Sequence, residues 1–263
     1  GGGGGAGGIA YAPSLAVSPG AHAIVIGPGG QGSNTFNYPG HPSGNPTRGT
    51  NSTFTHPAGT ITGLGGGGPA NENPNYEVAT PVPSNVYPGG SSAGGRYTYP
   101  GKSPLNINSV PAAQPSQPDF GVSVVHYGNI GGNANQSSFT AGGGGGAGGA
   151  GLPKTPTSPG AGGPGQPFTG FPAPVISPGI PSPQQSAFTT AVGPTGLFGG
   201  GGGGSSETVP GTIGPAPGGG GQGGPAVPDA DGDGVYGTGG GGGSHNSAGK
   251  DGGPGIVILR YQV

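Results

Sequence analysis

Apolar residues in this chain come in short alternating runs, separated by long stretches that carry no side chain larger than a methyl. Residues 9–11 (Ile-Ala-Tyr), 14–18 (Ser-Leu-Ala-Val-Ser) and 23–26 (Ala-Ile-Val-Ile) succeed one another around Pro19-Gly20. Alternation, a Pro-Gly turn and a β-branched run predict a hairpin there. Residues 33–50, rich in Asn, Pro, Gly and Ser, read as a loop. Residues 52–55 and 60–62 flank His56-Pro57-Ala58-Gly59 and predict a second hairpin, with Phe54, Ile61 and Leu64 as its apolar side. Residues 120–127 alternate well enough for a strand. Residues 255–261 (Gly-Ile-Val-Ile-Leu-Arg-Tyr) are apolar on both faces and read as a final strand, buried in a small sheet beside residues 23–26. Little or no helix is expected.

Between these runs lie glycine tracts at residues 1–8, 65–68, 142–151, 199–204, 218–224 and 239–243. Glycine accounts for 72 of 263 residues and proline for 34, where ordinary glycine usage is about 7%. Ordering such a chain costs ~1–2 kcal/mol of backbone entropy per residue, and most for glycine. With hydrophobic residues at 28%, a large apolar core is out of reach. Main-chain hydrogen bonds between tracts of small residues are the remaining large source of stability. Polyglycine II supplies them: it is an extended left-handed helix with about three residues per turn and no internal bonds. Every N–H and C=O then points outward and must find a neighbour. Collagen is excluded, because the Gly-X-Y triplet is absent and residues 142–146 are an unbroken glycine run.

The fold class expected is therefore irregular and essentially all-β: a bundle of polyglycine II helices with small antiparallel β-hairpins and almost no α-helix. Three stretches are expected within one compact unit. Residues 1–68 form a glycine-rich lobe with hairpins, 69–138 an insertion rich in Tyr, Asn and Pro, and 139–263 a glycine- and proline-rich lobe. The chain opens inside a glycine tract without an initiator Met, so it reads as the C-terminal part of a longer or processed chain.

Composition removes several function classes. There is no Cys, so disulfides and thiolate metal sites are impossible. No apolar run approaches the ~20 residues of a membrane-spanning helix, and no signal peptide is visible. Net charge is −2 with 6 Lys and Arg, which leaves no basic surface for a phosphate backbone.

Residues 69–138 carry Tyr76, Tyr87, Tyr97, Tyr99 and Tyr127, with Arg96 and Lys102. Tyr, Ser, Gly and Asn are the residues of adaptable binding loops, and loops on a rigid scaffold commonly carry recognition. The structural alternative has these tyrosines covering the flank of the bundle or meeting a neighbouring subunit. Residues 152–198 are proline-rich. They read as extended connectors in polyproline II geometry, with Phe168, Phe171, Val175, Ile176, Ile180 and Phe188 packed over the glycine layers.

The order GGGGGAGG, SLAVSPGAHAIVIGPGG, NSTF and GTITGLGGGG, and later AVGPTGLFGGGGGG, TGGGGGSHN and GGPGIVILRY, resembles the glycine-rich domain of tailed-bacteriophage tail-fibre and other virion appendage proteins. The resemblance covers residues 1–68 and roughly 139–263. It implies a virion-surface protein that contacts other virion proteins and binds a host-surface saccharide or outer-membrane protein through exposed loops. Tyr76, Tyr87, Arg96, Tyr97 and Tyr99 are then the candidate receptor-binding residues. It also implies a homo-oligomer, with a trimer expected, and neither nucleic acid binding nor membrane insertion. The rival readings are a cellular extracellular fibre that assembles by itself and an ice-binding plate. The regular Thr or Ala rows the plate needs are missing.

One acidic cluster has the spacing of a metal loop. Asp229, Asp231 and Asp233, with Gly234 at the sixth position, match the start of a calcium loop, but the twelfth position holds Gly240 instead of Glu. A weak Ca²⁺ site and a solvated acidic turn are both open; no other cofactor is expected. Enzyme strings arise from glycine content alone. Gly90-Ser91-Ser92-Ala93-Gly94 matches G-x-S-x-G, but Pro88-Gly89 stands where a strand should lead in. Gly101-Lys102-Ser103 resembles the end of a phosphate loop, yet Arg96 occupies the place of its first glycine. The five histidines show no ligand spacing. No enzymatic activity is expected.

Overall fold

The computed structural model describes residues 1–32, 47–68, 89–95, 118–134, 140–206, 216–224, 232–245 and 249–261. Its centre is a bundle of glycine tracts joined chiefly through the main chain. Residues 1–8 display the pattern expected of polyglycine II, because successive N–H groups turn to three different neighbours and return every third residue. The Gly3 and Ala6 N–H groups donate to the carbonyls of Gly142 and Gly145, those of Gly4 and Gly7 to Gly242 and Gly239, and those of Gly5 and Gly8 to Gly67 and Leu64. Their own carbonyls accept from others, Gly4 from Gly202 (2.9 Å) and Gly3 from Gly94 (2.8 Å).

Residues 141–147 are surrounded completely. They donate toward residues 92–95, 149–152 and 199–205, and they accept from residues 3–6, 132 and 160–163. Six neighbours around one extended helix is hexagonal packing, possible only where Cβ atoms are missing. Methyl groups placed on Gly3, Gly144, Gly201 or Gly202 would overlap the carbonyls of a neighbouring tract. Residues larger than glycine are confined to notches. Ala6, Ala141 and Ala147 are buried, and the fully buried Ser91 and Ser92 use their hydroxyls to accept the N–H groups of Asn129 (3.3 Å) and Gly131 (3.0 Å). The G-x-S-x-G string therefore sits inside the bundle, without the exposed strand-to-helix turn that such a nucleophile requires.

The small sheets cap one end. Strand β1 (Ile9–Tyr11) and β2 (Ile24–Val25) are followed by β3 (Ser52–His56) and β4 (Gly59–Gly63), which form the expected second hairpin with Phe54 opposite Ile61. The first hairpin does not form. Strand β1 pairs with β5 (Val125–Tyr127), and β2 pairs with β3. Pro19-Gly20 is thus a bend in a loop instead of a hairpin turn, since both flanking runs find better partners far along the chain. The strand expected over residues 120–127 is limited to β5.

Residues 255–261 also differ from expectation. The Gly255 N–H donates to the Gly27 carbonyl (3.0 Å), but no ladder to residues 23–26 follows and no strand forms. Ile256 and Ile258 pack against the core, whereas Leu259 and Tyr261 are exposed.

The proline-rich segment is not uniformly extended. After β6 (Gln166–Pro167) it forms helix α1 (Ala173–Ile176), a 3-10 turn (Ser177–Gly179) and helix α2 (Ser182–Val192), then β7 (Leu197–Phe198) pairs back onto β6. Pro174 and Pro183 sit in the first helical turns, where a missing N–H costs nothing. Gly193 ends α2 at φ 60°, open to glycine without strain. The expectation of little helix holds for the chain as a whole and fails in this segment. Phe188 and Val192, one turn apart, are fully buried with Ala173, Ile180 and Phe198 in the only apolar cluster among the described residues; Phe168, Phe171 and Ile176 pack against it. Val175, also expected there, is 72% exposed. Phe168 is met by Tyr11 (5.2 Å between ring centroids), edge-on by Tyr127 (5.6 Å) and by Phe198 (6.5 Å).

On β5, both ring nitrogens of His126 are buried and have no hydrogen-bond partner. Desolvation by burial holds this imidazole below its ordinary value. The unfolded chain therefore binds a proton that the folded chain refuses. The contribution is fully favourable above the unfolded value of about 6.5 and is lost as pH falls below it toward the folded value. Urea midpoints measured between pH 5 and pH 7.5 should show an acid loss of stability that His126→Phe reduces; an unchanged acid slope in the variant would assign the loss elsewhere.

Candidate functional site

The bundle is polarised along its axis. The apolar cluster, the sheets and α2 lie at the end where residue 8 leaves the first tract. The opposite end, marked by Gly1, is lined by buried hydroxyls. Ser205, Ser206, Ser244 and Thr140 are buried there. The Ser205 N–H and the Ser244 hydroxyl both donate to the Gly1 carbonyl (3.2 and 2.5 Å), and Thr140 bridges Ser206. Ser205, Ser206 and Ser244 directly follow the glycine runs at residues 199–204 and 239–243, whereas Ser91 and Ser92 fill notches within the bundle.

Several other residues lie at this end. Gly95 accepts from Gly142 beside Gly3, Gly224 donates to Ser244, and Asn133 accepts from Lys154, which places residues 95, 224 and 134 at the level of the first three residues. Residues 140, 206, 245 and 249 follow through the Thr140–Ser206 and Ser244–Gly249 bridges. Gly32 donates to the Asp251 carboxylate (2.6 Å), and Gly68 lies one residue beyond the Gly5–Gly67 bond, near mid-height and heading the same way.

Tyr76, Tyr87, Arg96, Tyr97 and Tyr99 lie outside the described residues. Tyr127, the fifth tyrosine of the insertion, belongs to the apolar end instead. Asp229 and Asp231 also lie outside the described residues. Asp233 is exposed, and its carboxylate accepts the Asp251 N–H (3.0 Å), while Asp251 in turn accepts from Gly32. This acid ties two tracts to each other. Among the described residues no three His, Asp or Glu side chains come together in a way that could hold a metal ion. Lys154 is buried at the same end, and desolvation keeps its ammonium below the ordinary lysine value.

One concave feature escaped the sequence reading. A groove of about 1300 Å³ opens at the apolar end between residues 9–20, the β3–β4 hairpin and residues 255–261. Ile9, Tyr11, Phe54, Phe168 and Ile258 are among its walls. It is assembled by the β1–β5 and β2–β3 pairings, so no local pattern announces it. Among the described residues no helix is long and apolar enough to cross a membrane.

Neither curated proteins nor solved structures yield a match to this chain. A family model described as a glycine-rich domain matches residues 1–262. With nearly every residue inside that match, and a bundle of glycine tracts at its centre, the chain belongs to the glycine-rich domain family.

Proposed function

We propose that this chain is a non-enzymatic structural protein of a bacteriophage virion, part of a tail fibre, capsid fibre or other appendage. In this reading it displays loops for attachment to a host-surface saccharide or outer-membrane protein. The observation that carries the reading is the axial polarity of the bundle. Main-chain bonds make a stiff body, one end is closed by an apolar cap, and the other is lined by buried hydroxyls. Such a body suits the presentation of recognition loops. On this reading Tyr76, Tyr87, Arg96, Tyr97 and Tyr99 contact the receptor, Asp229, Asp231 and Asp233 are a possible Ca²⁺ loop, and the protein sits on the virion surface as a homo-oligomer, a trimer in the simplest case.

The test is attachment of the fluorescently labelled chain to host cells, with competition against the intact virion. Replacing Tyr97 and Tyr99 together by Ala should weaken attachment by roughly thirtyfold, the ~2 kcal/mol expected of aromatic hot spots, without changing the melting temperature. Lack of attachment, together with absence of the chain from virions, would end the proposal.

The second reading, a self-assembling extracellular fibre, is favoured by one observation. Residues 256–259 are apolar and join no sheet, and among the described residues the main-chain groups of residues 256–261 make no backbone hydrogen bond. Open edges of this kind recruit further chains. Sedimentation of the isolated chain separates the two, since filaments support the fibre and a discrete small oligomer supports the appendage.

A further inference from the structure

The tract at residues 1–8 has a neighbour on five of its six sides. Its N–H groups reach the tracts at residues 142–145, 239–242 and 64–67, and its Gly4 and Gly3 carbonyls accept from Gly202 and Gly94. Gly202 lies between the first two of these tracts, because it accepts from Gly144 while the nearby Gly200 accepts from Gly241. Residues 91–95 lie between the first and the third, accepting from Gly142 and Gly67. The sixth side, between residues 239–242 and 64–67, is open. There the Gly5 carbonyl points outward with no hydrogen-bond partner among the described residues.

Three more tracts close a ring around that side. Gly253 donates to Gly240 (2.8 Å), Gly252 to Gly30 (2.8 Å), Thr50 to Pro28 (3.1 Å) and Gly49 to Gly66 (3.1 Å). In ring order the walls are residues 4–8, 239–242, 250–255, 27–31, 47–50 and 64–68, and all six line the groove. Each turns to the axis a main-chain group without a partner among the described residues. Carbonyls alternate with N–H groups around it: Gly5 C=O, Gly242 N–H, Gly253 C=O, Gly30 N–H, Thr50 C=O and Gly66 N–H. The three-residue repeat puts the Gly27 N–H on the same side as that of Gly30, and it donates to the Ser52 hydroxyl (2.9 Å), itself on the groove wall. Glycine geometry shows independently that the axis is open. A Cβ built on Gly7, Gly49 or Gly252 falls between the two ring neighbours of its own tract and meets nothing nearer than 3.1 Å, whereas one on Gly3, Gly144 or Gly201 overlaps a carbonyl.

We propose that the axis of this ring receives one glycine tract of a second polypeptide, which becomes its seventh helix. Carbonyls and N–H groups alternating about an axis are what an extended helix with outward-turned amides requires on all sides. Six close neighbours leave no room for a Cβ, as at residues 141–147. The guest is therefore glycine along the height of the ring, about four residues or ~12 Å at ~3.1 Å per residue. This chain has no such tract to spare. Its own glycine tracts are built into the bundle, and outside the described residues no two glycines are adjacent in the sequence. Main-chain pairing gives such a guest its affinity, as in strand addition to a sheet edge. The contact does not depend on the chain being part of a virion.

The probe is acetyl-hexaglycine amide, with acetyl-Gly-Gly-Ala-Ala-Gly-Gly amide as control, each titrated to millimolar concentration into the ¹⁵N-labelled chain. Hexaglycine should shift the Gly30, Gly66 and Gly242 amides and slow their exchange with water; the control should not. Gly7→Ala and Gly252→Ala, made separately on two walls, put a methyl on the axis where the nearest atoms stand 3.5 and 3.4 Å away. Each should fold like the parent and bind hexaglycine at least about tenfold more weakly. Unmoved amides at the three glycines, the result for an axis that takes up water alone, overturn the proposal. So does an equal response to the alanine-containing peptide, or undiminished binding in both variants.

Discussion

Gly144→Ala should lower stability by about 3 kcal/mol or more, the upper range for forcing a methyl into a packed interior. The Cβ would overlap the Gly4 carbonyl, a main-chain group with no side chain to swing aside. Relief requires the tracts at residues 1–8 and 141–147 to part. That strains the bonds Gly144 N–H to Gly202 (2.8 Å) and Gly163 N–H to Gly144 (2.8 Å), and weakens neighbours on several sides. For a chain of this size the melting temperature should fall by roughly 6–12 °C. Gly179→Ala is the matched control. It has open space around it and ordinary φ, so Ala there should be neutral or gain about 0.4–1 kcal/mol by restricting the unfolded chain. Equal melting temperatures for the two variants would mean the tracts are not close-packed.

Phe188→Ala should cost about 3–5 kcal/mol, as large apolar truncations in packed cores do. Its ring is fully buried, lies 6.2 Å from that of Phe198, and touches the space beside Gly237. With so little apolar surface elsewhere, nothing can substitute for it. The loss should fall on α2 and the sheet end first, leaving glycine amide shifts near Gly1 in place while those near Gly199 and Gly218 move. Val175→Ala, on the neighbouring helix but exposed, should change stability by less than about 0.5 kcal/mol. Denaturant titration followed by NMR separates these outcomes; a small effect of Phe188→Ala would show the cap to be dispensable.

The bundle was legible because glycine runs leave only one way to satisfy main-chain groups. The β3–β4 hairpin was legible because β-branched residues flank a Pro-Ala-Gly turn. What was missed depends on competition between distant partners. Ile9–Tyr11 lies next to a plausible turn, yet it pairs with Val125–Tyr127. The helix at Ser182–Val192 had its signals in view, with proline in the first turn, a run of Gln, Ser and Ala, and glycine after the last residue. Proline density drew the reading toward extended chain instead. The groove was out of reach altogether, since its walls meet only once β1 pairs with β5 and β2 with β3.

The tract at residues 1–8 precedes in the chain every partner that its N–H groups bond. Gly4 waits for Gly202 and Gly242, so its bonds close only once roughly 240 further residues have left the ribosome. Contacts this distant in sequence make for slow assembly. Until then, a ribbon of unsatisfied amides must stay in water without pairing to the ribbons of nascent neighbours.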